Sequence, residues 1–221
     1  MSTLSEIAYF FRRLISGLLL VFMLVICLAG CGDDPTYQAL PPGTRVLAFG
    51  DSVTFGKGAS AGEDYPNRLQ MATGWQVINA GISGDTAREA KARITATLKQ
   101  HSPELVIIEL GGNDFLRKRP GSTVKQDLLE IIQASQASGA LTVLVAVPRL
   151  SLLRAGIGAL ADSPIYEELA DETGALLIPD VFSEVLSSKT LLSDRIHPNA
   201  QGYQVLTDGF VTSLREAGLL R

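Results

Sequence analysis

Short apolar runs alternate with longer amphipathic stretches from Arg45 to the end of the chain. The apolar runs are hydrophobic throughout, of strand length and rich in β-branched residues, and they occupy residues 46–49, 77–78, 105–110, 141–147 and 175–178. Such runs are typical of strands that are buried on both faces of a parallel sheet. The stretches between them predict helices at residues 65–73, 86–100, 124–138, 164–173 and 200–217. The repeated strand–helix order predicts an α/β fold, a three-layer α/β/α sandwich around about five parallel strands.

The N-terminal residues have a different pattern, which predicts an export signal over residues 1–30. Arg12 and Arg13 precede the uncharged, mostly aliphatic residues 14–29, and small residues follow just before Cys31. A basic region, an apolar core and a small-residue end are typical of a signal peptide. The ending resembles the lipobox of bacterial lipoproteins, which implies that Cys31 is lipidated and becomes the new N-terminus. The alternative is an uncleaved transmembrane helix, because residues 14–32 are just long enough to span a bilayer.

The rest of the chain is predicted to form a tether over residues 31–43 and a single domain over residues 44–221. Residues 32–42 contain two aspartates and three prolines, a composition typical of a linker. The remaining chain is long enough for one domain with a full core. We therefore expect an exported protein that is anchored through Cys31 at the periplasmic side of a bacterial membrane. The outer membrane is the default, because Gly32 stands where an aspartate often signals retention in the inner membrane.

Charge and cysteine content exclude several classes of site and partner. The formal net charge is −4 and no basic stripe is present, which argues against a nucleic-acid partner. Cys27 would leave with the signal and Cys31 would carry lipid, so the mature domain has no thiol for a disulfide or a cysteine metal site. Nothing in the sequence indicates an oligomeric state.

A serine follows the first predicted strand, in Gly50-Asp51-Ser52. A serine hydroxyl is a weak nucleophile that needs a histidine to take its proton and a carboxylate to orient that histidine. The chain has two histidines, and His101 lies at the polar end of a predicted helix. His197 is therefore the candidate base, and Asp194, three residues before it, is the candidate carboxylate.

Four segments are predicted to converge on one edge of the sheet. Ser52, Gly81 and the sequence Gly111-Gly112-Asn113-Asp114 each follow a predicted strand, and residues 194–197 precede the last helix. In parallel α/β sheets the functional crevice lies at the carboxyl ends of the strands. Each segment alone is also typical of an ordinary turn. Together, in this order, they predict a hydrolytic site.

A second serine, Ser60, lies in Gly58-Ala59-Ser60-Ala61-Gly62, which matches the G-x-S-x-G nucleophile elbow. An elbow needs a buried strand directly before its serine and a helix directly after it. The residues before Ser60 form a glycine-rich loop instead, so we interpret Ser60 as a loop residue.

These motifs resemble the SGNH/GDSL hydrolases over residues from about 45 to 219. The four letters of that name correspond to Ser52, Gly81, Asn113 and His197, and the segments 82–86 and 109–114 resemble the bacterial periplasmic arylesterase, thioesterase and lysophospholipase branch. Val53-Thr54 departs from the leucine that many members have after the serine. The resemblance implies a flavodoxin-like fold in which Ser52 attacks, His197 accepts its proton and Asp194 orients the ring.

The same resemblance implies that the N–H groups of Ser52 and Gly81 and the Asn113 amide hold the oxyanion, with no metal or organic cofactor. The leading hypothesis is an esterase acting on acyl esters, thioesters or lysophospholipids. A carbohydrate O-acetylesterase and a non-catalytic binding lipoprotein are the alternatives. The latter should lack one of the site residues, and none is missing.

Two segments near the predicted site leave the substrate open. Residues 148–160 are apolar and follow the fourth strand, so they predict either a mobile wall for an acyl chain or a packed helix. Arg117, Lys118 and Arg119 follow Asn113 and predict a solvated basic loop or, alternatively, a contact with a lipid phosphate.

Overall fold

The computed structural model describes residues 37–149 and 160–221. The predicted signal, the lipidation site Cys31 and most of the segment 148–160 lie outside the described residues. Within the described ranges, no helix is both long and apolar enough to cross a bilayer.

Five parallel strands form the predicted sheet. They are β1 (Arg45–Gly50), β2 (Gln76–Gly81), β3 (Leu105–Glu109), β4 (Leu141–Val145) and β5 (Leu176–Ile178), in the order β2-β1-β3-β4-β5. This is the flavodoxin-like doubly wound order, in which the chain leaves β1 toward β2 and returns on the other side as β3. The switch point of the sheet therefore lies between β1 and β3.

The described helices cover both faces of the sheet. They are α1 (Ser52–Phe55), α2 (Tyr65–Thr73), α3 (Ala87–His101), α4 (Gly112–Leu116), α5 (Gly121–Ala137), α6 (Ile165–Thr173), α7 (Val181–Ser187) and α8 (Ala200–Glu216), with a 3₁₀ turn at Lys189–Leu191. Helices α2, α7 and α8 form one connected layer, and α3, α5 and α6 form the other. The predicted α/β/α sandwich is confirmed.

Strand ends are aligned at the carboxyl edge of the sheet. Gly50, the last residue of β1, pairs with Gly81 of β2 on one side and with Glu109 of β3 on the other. A Cβ on Gly50 would overlap Thr54 Oγ1 and lie 2.6 Å from the Glu109 carbonyl oxygen. Only glycine therefore lets the chain turn from β1 into α1 so close to β3.

Residues 37–42 differ from the prediction of a tether that ends at residue 43. The Tyr37 N–H donates to the Ala217 carbonyl at 3.1 Å, and the Leu40 N–H donates to the Leu219 carbonyl at 2.9 Å. Both side chains also pack against the core. These residues belong to the domain because their apolar side chains and backbone groups find partners beside the C-terminal helix.

Candidate active site

Ser52 is the first residue of α1, directly after the Asp51 that caps this helix. The Asp51 carboxylate accepts from the Val53 N–H at 3.0 Å, which is the usual N-cap arrangement. Ser52 is 8% exposed. The short helix thus presents the serine at the switch point between β1 and β3.

His197 lies against Ser52 although the two residues are far apart in sequence. The distance between His197 Nε2 and Ser52 Oγ is 3.0 Å, and the distance between His197 Nδ1 and Asp194 Oδ2 is 2.7 Å. Asp194 Oδ1 accepts from the backbone N–H groups of Ile196 and His197, each at 2.9 Å. The backbone of the turn therefore holds the Asp194 carboxylate in place, and the carboxylate in turn orients the His197 ring.

The charge of Asp194 determines the tautomer of His197. Partial burial opposes ionisation, but hydrogen bonds from the Ile196 backbone and from His197 lower the pKa of Asp194 below its usual value. An ionised carboxylate only accepts, so His197 Nδ1 carries the proton. Nε2 of the neutral ring is then free to accept from the Ser52 hydroxyl.

Asn113 lies across the site, at the start of α4. Its Nδ2 donates to Asp51 Oδ2 at 2.7 Å and to the Asp85 carbonyl at 3.1 Å. Both amide hydrogens are therefore engaged in this structure. Asn113 can donate to an oxyanion only by sharing or exchanging one of these bonds, and the longer one to Asp85 is the weaker of the two.

The N–H of Gly81, predicted from the sequence as an oxyanion donor, already has an acceptor in this structure. It donates to Asn79 Oδ1 at 3.0 Å, and a Cβ on Gly81 would lie 2.8 Å from the Asp51 carbonyl oxygen. The structure therefore places Gly81 behind residues 51–55, which we call the nucleophile turn, with its amide engaged. The next glycine, Gly84, adopts a φ of +90° directly before Asp85, whose carbonyl contacts Asn113. In the sequence, Gly84 could have been found as a candidate from the glycine-containing turn at residues 82–85.

Two buried carboxyl groups lie beneath the nucleophile turn. The Thr54 hydroxyl donates to Glu109 Oε2 at 2.9 Å and lies 2.9 Å from the Tyr65 hydroxyl. Burial raises the pKa of Asp51 to about 6, against the lowering effect of its bonds to Val53 and Asn113. Burial and the neighbouring Asp51 charge raise the pKa of Glu109 well above its usual range. Both carboxyl groups therefore keep their protons to a higher pH in the folded protein than in the unfolded chain.

We expect the free energy of unfolding to fall as pH rises from 5 to 8. A raised carboxyl pKa in the folded protein gives stability that is present at low pH and is lost as pH rises through the folded pKa. Asp51 alone should account for about 1 kcal/mol over this window, at 1.36 kcal/mol per pKa unit. Glu109→Gln should make the fall smaller, because glutamine mimics the protonated acid. Urea unfolding at several pH values measures this slope.

The control for this experiment is Asp171→Asn, which changes an exposed acid on α6 and should keep the wild-type slope. An unchanged slope in Glu109→Gln, or a stability that rises between pH 5 and 8, would contradict the raised pKa of these two carboxyl groups.

The basic residues after Asn113 divide into two groups. Arg117 and Lys118 are exposed, as predicted, although the Arg117 guanidinium donates to the Gly84 carbonyl at 2.9 Å. The prediction of a solvated loop is wrong for Arg119, which pairs with the buried Asp114 and with Asp127. Asp114 in turn accepts from the Ala87 N–H at 2.8 Å and so ties α4 to the start of α3.

The other sequence candidates lie away from these side chains. Ser60 is exposed in a loop, where its N–H donates to Glu63 Oε2 at 3.0 Å. His101 is the last residue of α3. Among residues 37–149 and 160–221, no cluster of three His, Cys, Asp or Glu side chains has the arrangement of a metal site.

A shallow depression surrounds Ser52. Its polar side is formed by Asp51, Asn113 and His197, and its apolar side is formed by Val53, Leu116, Phe182 and Ile196. Phe182 comes from α7, a helix that the sequence did not predict. The site therefore combines hydrogen-bonding groups with an apolar wall, as ligand sites commonly do.

The chain is similar to known esterases and thioesterases in both sequence and structure. A model of the GDSL-like Lipase/Acylhydrolase family matches residues 48–205. The chain is 36% identical over 188 residues to thioesterase 1/protease 1/lysophospholipase L1 of Escherichia coli (strain K12). This alignment covers 81% of this chain and 87% of that protein. The chain is 30% identical over 185 residues to esterase TesA of Pseudomonas aeruginosa, with coverage of 80% and 90%. A crystal structure of TesA matches with a TM-score of 0.70 at 26% identity and covers 79% of this chain and 99% of that one.

Proposed function

The chain belongs to the GDSL-like lipase/acylhydrolase family and is a carboxylic ester hydrolase, and from this premise we propose that Ser52, His197 and Asp194 are its catalytic triad. The observation that carries the proposal is the continuous hydrogen-bonded path from Ser52 Oγ through both ring nitrogens of His197 to Asp194, at 3.0 and 2.7 Å. The tautomer inferred for His197 supports it, because Nε2 is oriented to accept the serine proton.

The reaction proceeds in two halves. Ser52 Oγ attacks the carbonyl carbon of an ester or thioester while its proton moves to His197 Nε2, and the imidazolium pairs with Asp194. Collapse of the tetrahedral intermediate expels the alcohol or thiol, which takes the proton from Nε2, and leaves an acyl group on Ser52. Water then attacks the acyl-enzyme as His197 accepts its proton. Collapse of this second tetrahedral intermediate releases the acid, and the proton on Nε2 returns to Ser52 Oγ.

Three donors are proposed for the oxyanion, one at Ser52 itself and one on each of two other segments. The Ser52 N–H lies at the N-terminus of α1, and the Asn113 amide faces the same depression. We assign a third donor to the Gly84 N–H rather than to that of Gly81, because the Gly81 amide is engaged by Asn79. Loss of one such donor typically lowers turnover by about 10²-fold to 10³-fold.

An apolar acyl group is the proposed substrate feature, because Leu116, Phe182 and Ile196 line the depression beside Ser52. Each buried methylene contributes about 0.8 kcal/mol to binding of the chain. Because the depression is shallow, we expect it to bury one or two of the six methylenes that distinguish octanoyl from acetyl, which should raise the specificity constant about 4-fold to 15-fold. A carbohydrate O-acetylesterase would instead be fastest with acetyl.

The substrate experiment is hydrolysis of p-nitrophenyl esters from acetyl to palmitoyl, beside acyl-CoA thioesters and a lysophospholipid, by the purified protein. An optimum at medium or long chains is the expected result. An optimum at acetyl would overturn the proposed acyl preference in favour of the acetylesterase, and hydrolysis of no ester or thioester would overturn the triad proposal.

We also propose that residues 1–30 are an export signal and that Cys31 is lipidated, so that the enzyme works at a membrane surface. Support comes from the pattern of the first residues and from the start of the folded domain at Tyr37, close behind Cys31. Incorporation of a palmitate analogue in cells, lost in Cys31→Ala, is the expected result. Equal labelling of both proteins would overturn the assignment of Cys31.

A further inference from the structure

Arg93, on α3, makes polar contacts with three separate segments at the carboxyl edge of the sheet. Its Nη2 donates to the Gly50 carbonyl at 3.0 Å, its Nη1 donates to the Ala80 carbonyl at 3.0 Å, and its Nε pairs with Asp85 Oδ2 at 2.7 Å. The guanidinium carbon also lies 4.1 Å from the centroid of the Phe49 ring. Only a fifth of the side chain is exposed. The guanidinium of Arg93 is therefore largely buried, and each of its three nitrogen atoms has a hydrogen-bond or ion-pair partner.

Two of the three acceptors of Arg93 lie close in sequence to groups of the proposed site. Gly50 lies two residues before Ser52, and Asp85 directly follows Gly84. The carbonyl of Asp85 accepts from Asn113 Nδ2 at 3.1 Å. Arg93 is therefore linked to Ser52 through Gly50 and, through Asp85, to two of the three proposed oxyanion donors, Gly84 and Asn113.

We propose that Arg93 is a positioning residue that holds the residues 82–85, which we call the oxyanion loop, in fixed register with the nucleophile turn. It acts through Gly50 and Asp85 and does not touch the substrate. The proposal rests on the roles proposed above for Ser52, Gly84 and Asn113.

An arginine is required at this position for geometric reasons. The guanidinium is planar and presents its N–H donors in a rigid fork, so one side chain meets two carbonyls and a carboxylate that lie in different directions. A lysine ammonium also has three N–H donors, but they radiate from one nitrogen atom and would reach only part of this set. The guanidinium also lies over the ring of Phe49, a cation–π contact that favours a planar cation here.

The experiment compares Arg93→Lys, Arg93→Met and Asp85→Asn in the full-length protein. Burst titration with a p-nitrophenyl ester counts the competent sites, so that kcat is expressed per competent site. A misplacement of about 1 Å at a reacting group can lower the rate about 10²-fold. We expect kcat per site to fall about 10-fold to 100-fold in Arg93→Met and by less in Arg93→Lys, with KM changed less than about 2-fold.

Asp85→Asn should also lower kcat per site, and the double variant Arg93→Lys with Asp85→Asn should lose less than the product of the two single effects, because both act through one contact. The matched control is Arg88→Met, an exposed arginine on the same helix, which should keep the wild-type kcat.

A purely structural role predicts a different outcome. It would lower the melting temperature and the number of titrated sites but leave kcat per site unchanged, and that result in Arg93→Met and Asp85→Asn would overturn the proposal. Independent effects of the two single variants would also overturn it. Hydrolysis by the wild type that is lost in Ser52→Ala tests the triad separately, so a negative result for Arg93 would not be confused with a failure of the proposed catalytic residues.

Discussion

Ser52→Ala is expected to lower kcat for p-nitrophenyl esters by roughly 10⁵-fold or more, the effect typical of removing the nucleophile of a serine hydrolase. Ser52 Oγ is the atom that bonds to the acyl carbon, and among the described residues no other hydroxyl is within hydrogen-bond distance of His197 Nε2. Because alanine is a good helix residue and Ser52 begins α1, the fold should be retained. The melting temperature should therefore stay close to that of the wild type.

Ser60→Ala is the matched control for the same measurement. Ser60 has the local sequence of a nucleophile elbow but is exposed in a loop and bonded to Glu63. Its variant should keep wild-type activity. Activity that survives in Ser52→Ala and disappears in Ser60→Ala would contradict the proposed nucleophile, and so would a fluorophosphonate label recovered on a peptide that contains Ser60 alone.

The sheet and the site edge were predictable because they follow from periodicity and topology. Uniformly apolar runs of strand length identify strands that are buried on both faces, and parallel connections bring their carboxyl ends to one edge. Ser52 and Asn113 follow β1 and β3, so their proximity could be predicted without knowing how the side chains pack. The pairing of His197 with Asp194 is local, within one turn, and was predictable from chemistry.

Elements of four to seven residues were missed for a physical reason. Helices α1, α4 and α7 span at most two turns, too few to show a 3.6-residue period. Their formation depends on the strands that precede them, and only α1 has a side-chain cap, from Asp51. Phe182 on α7 was missed with its helix, although it forms part of the apolar wall at Ser52.

The remaining differences concern hydrogen-bond and ion-pair partners. The N–H of Gly81 is engaged by Asn79, Arg119 is paired with Asp114, and Arg93 contacts three segments at once. Residue types do not reveal such partners, because the partners depend on the backbone conformation of each turn and, for Arg93, on how α3 packs on the sheet. The Ile82–Asp85 motif was visible in the sequence, but its donor could be assigned only after the bond of Gly81 was seen.

Asp194→Asn is expected to lower kcat by about 10³-fold to 10⁴-fold while leaving the fold intact. Asp194 Oδ1 accepts from the N–H groups of Ile196 and His197, each at 2.9 Å, so the amide oxygen of asparagine should take that position and keep both bonds. Its NH₂ group must then face His197 Nδ1, where Oδ2 lies in the wild type at 2.7 Å. An NH₂ group donates, and Nδ1 must lose its proton to accept.

The proton of the neutral ring then moves to Nε2, which donates to Ser52 Oγ and can no longer take its proton. Steady-state kinetics measures the loss, and an unchanged melting temperature shows that the turn is preserved. Arg195→Ala, the exposed neighbour in the same turn, should keep wild-type turnover and serves as the control. A loss of less than about 10-fold in Asp194→Asn would mean that Asp194 does not determine the tautomer of His197, because the magnitude expected for a wrong tautomer is about 10⁴-fold.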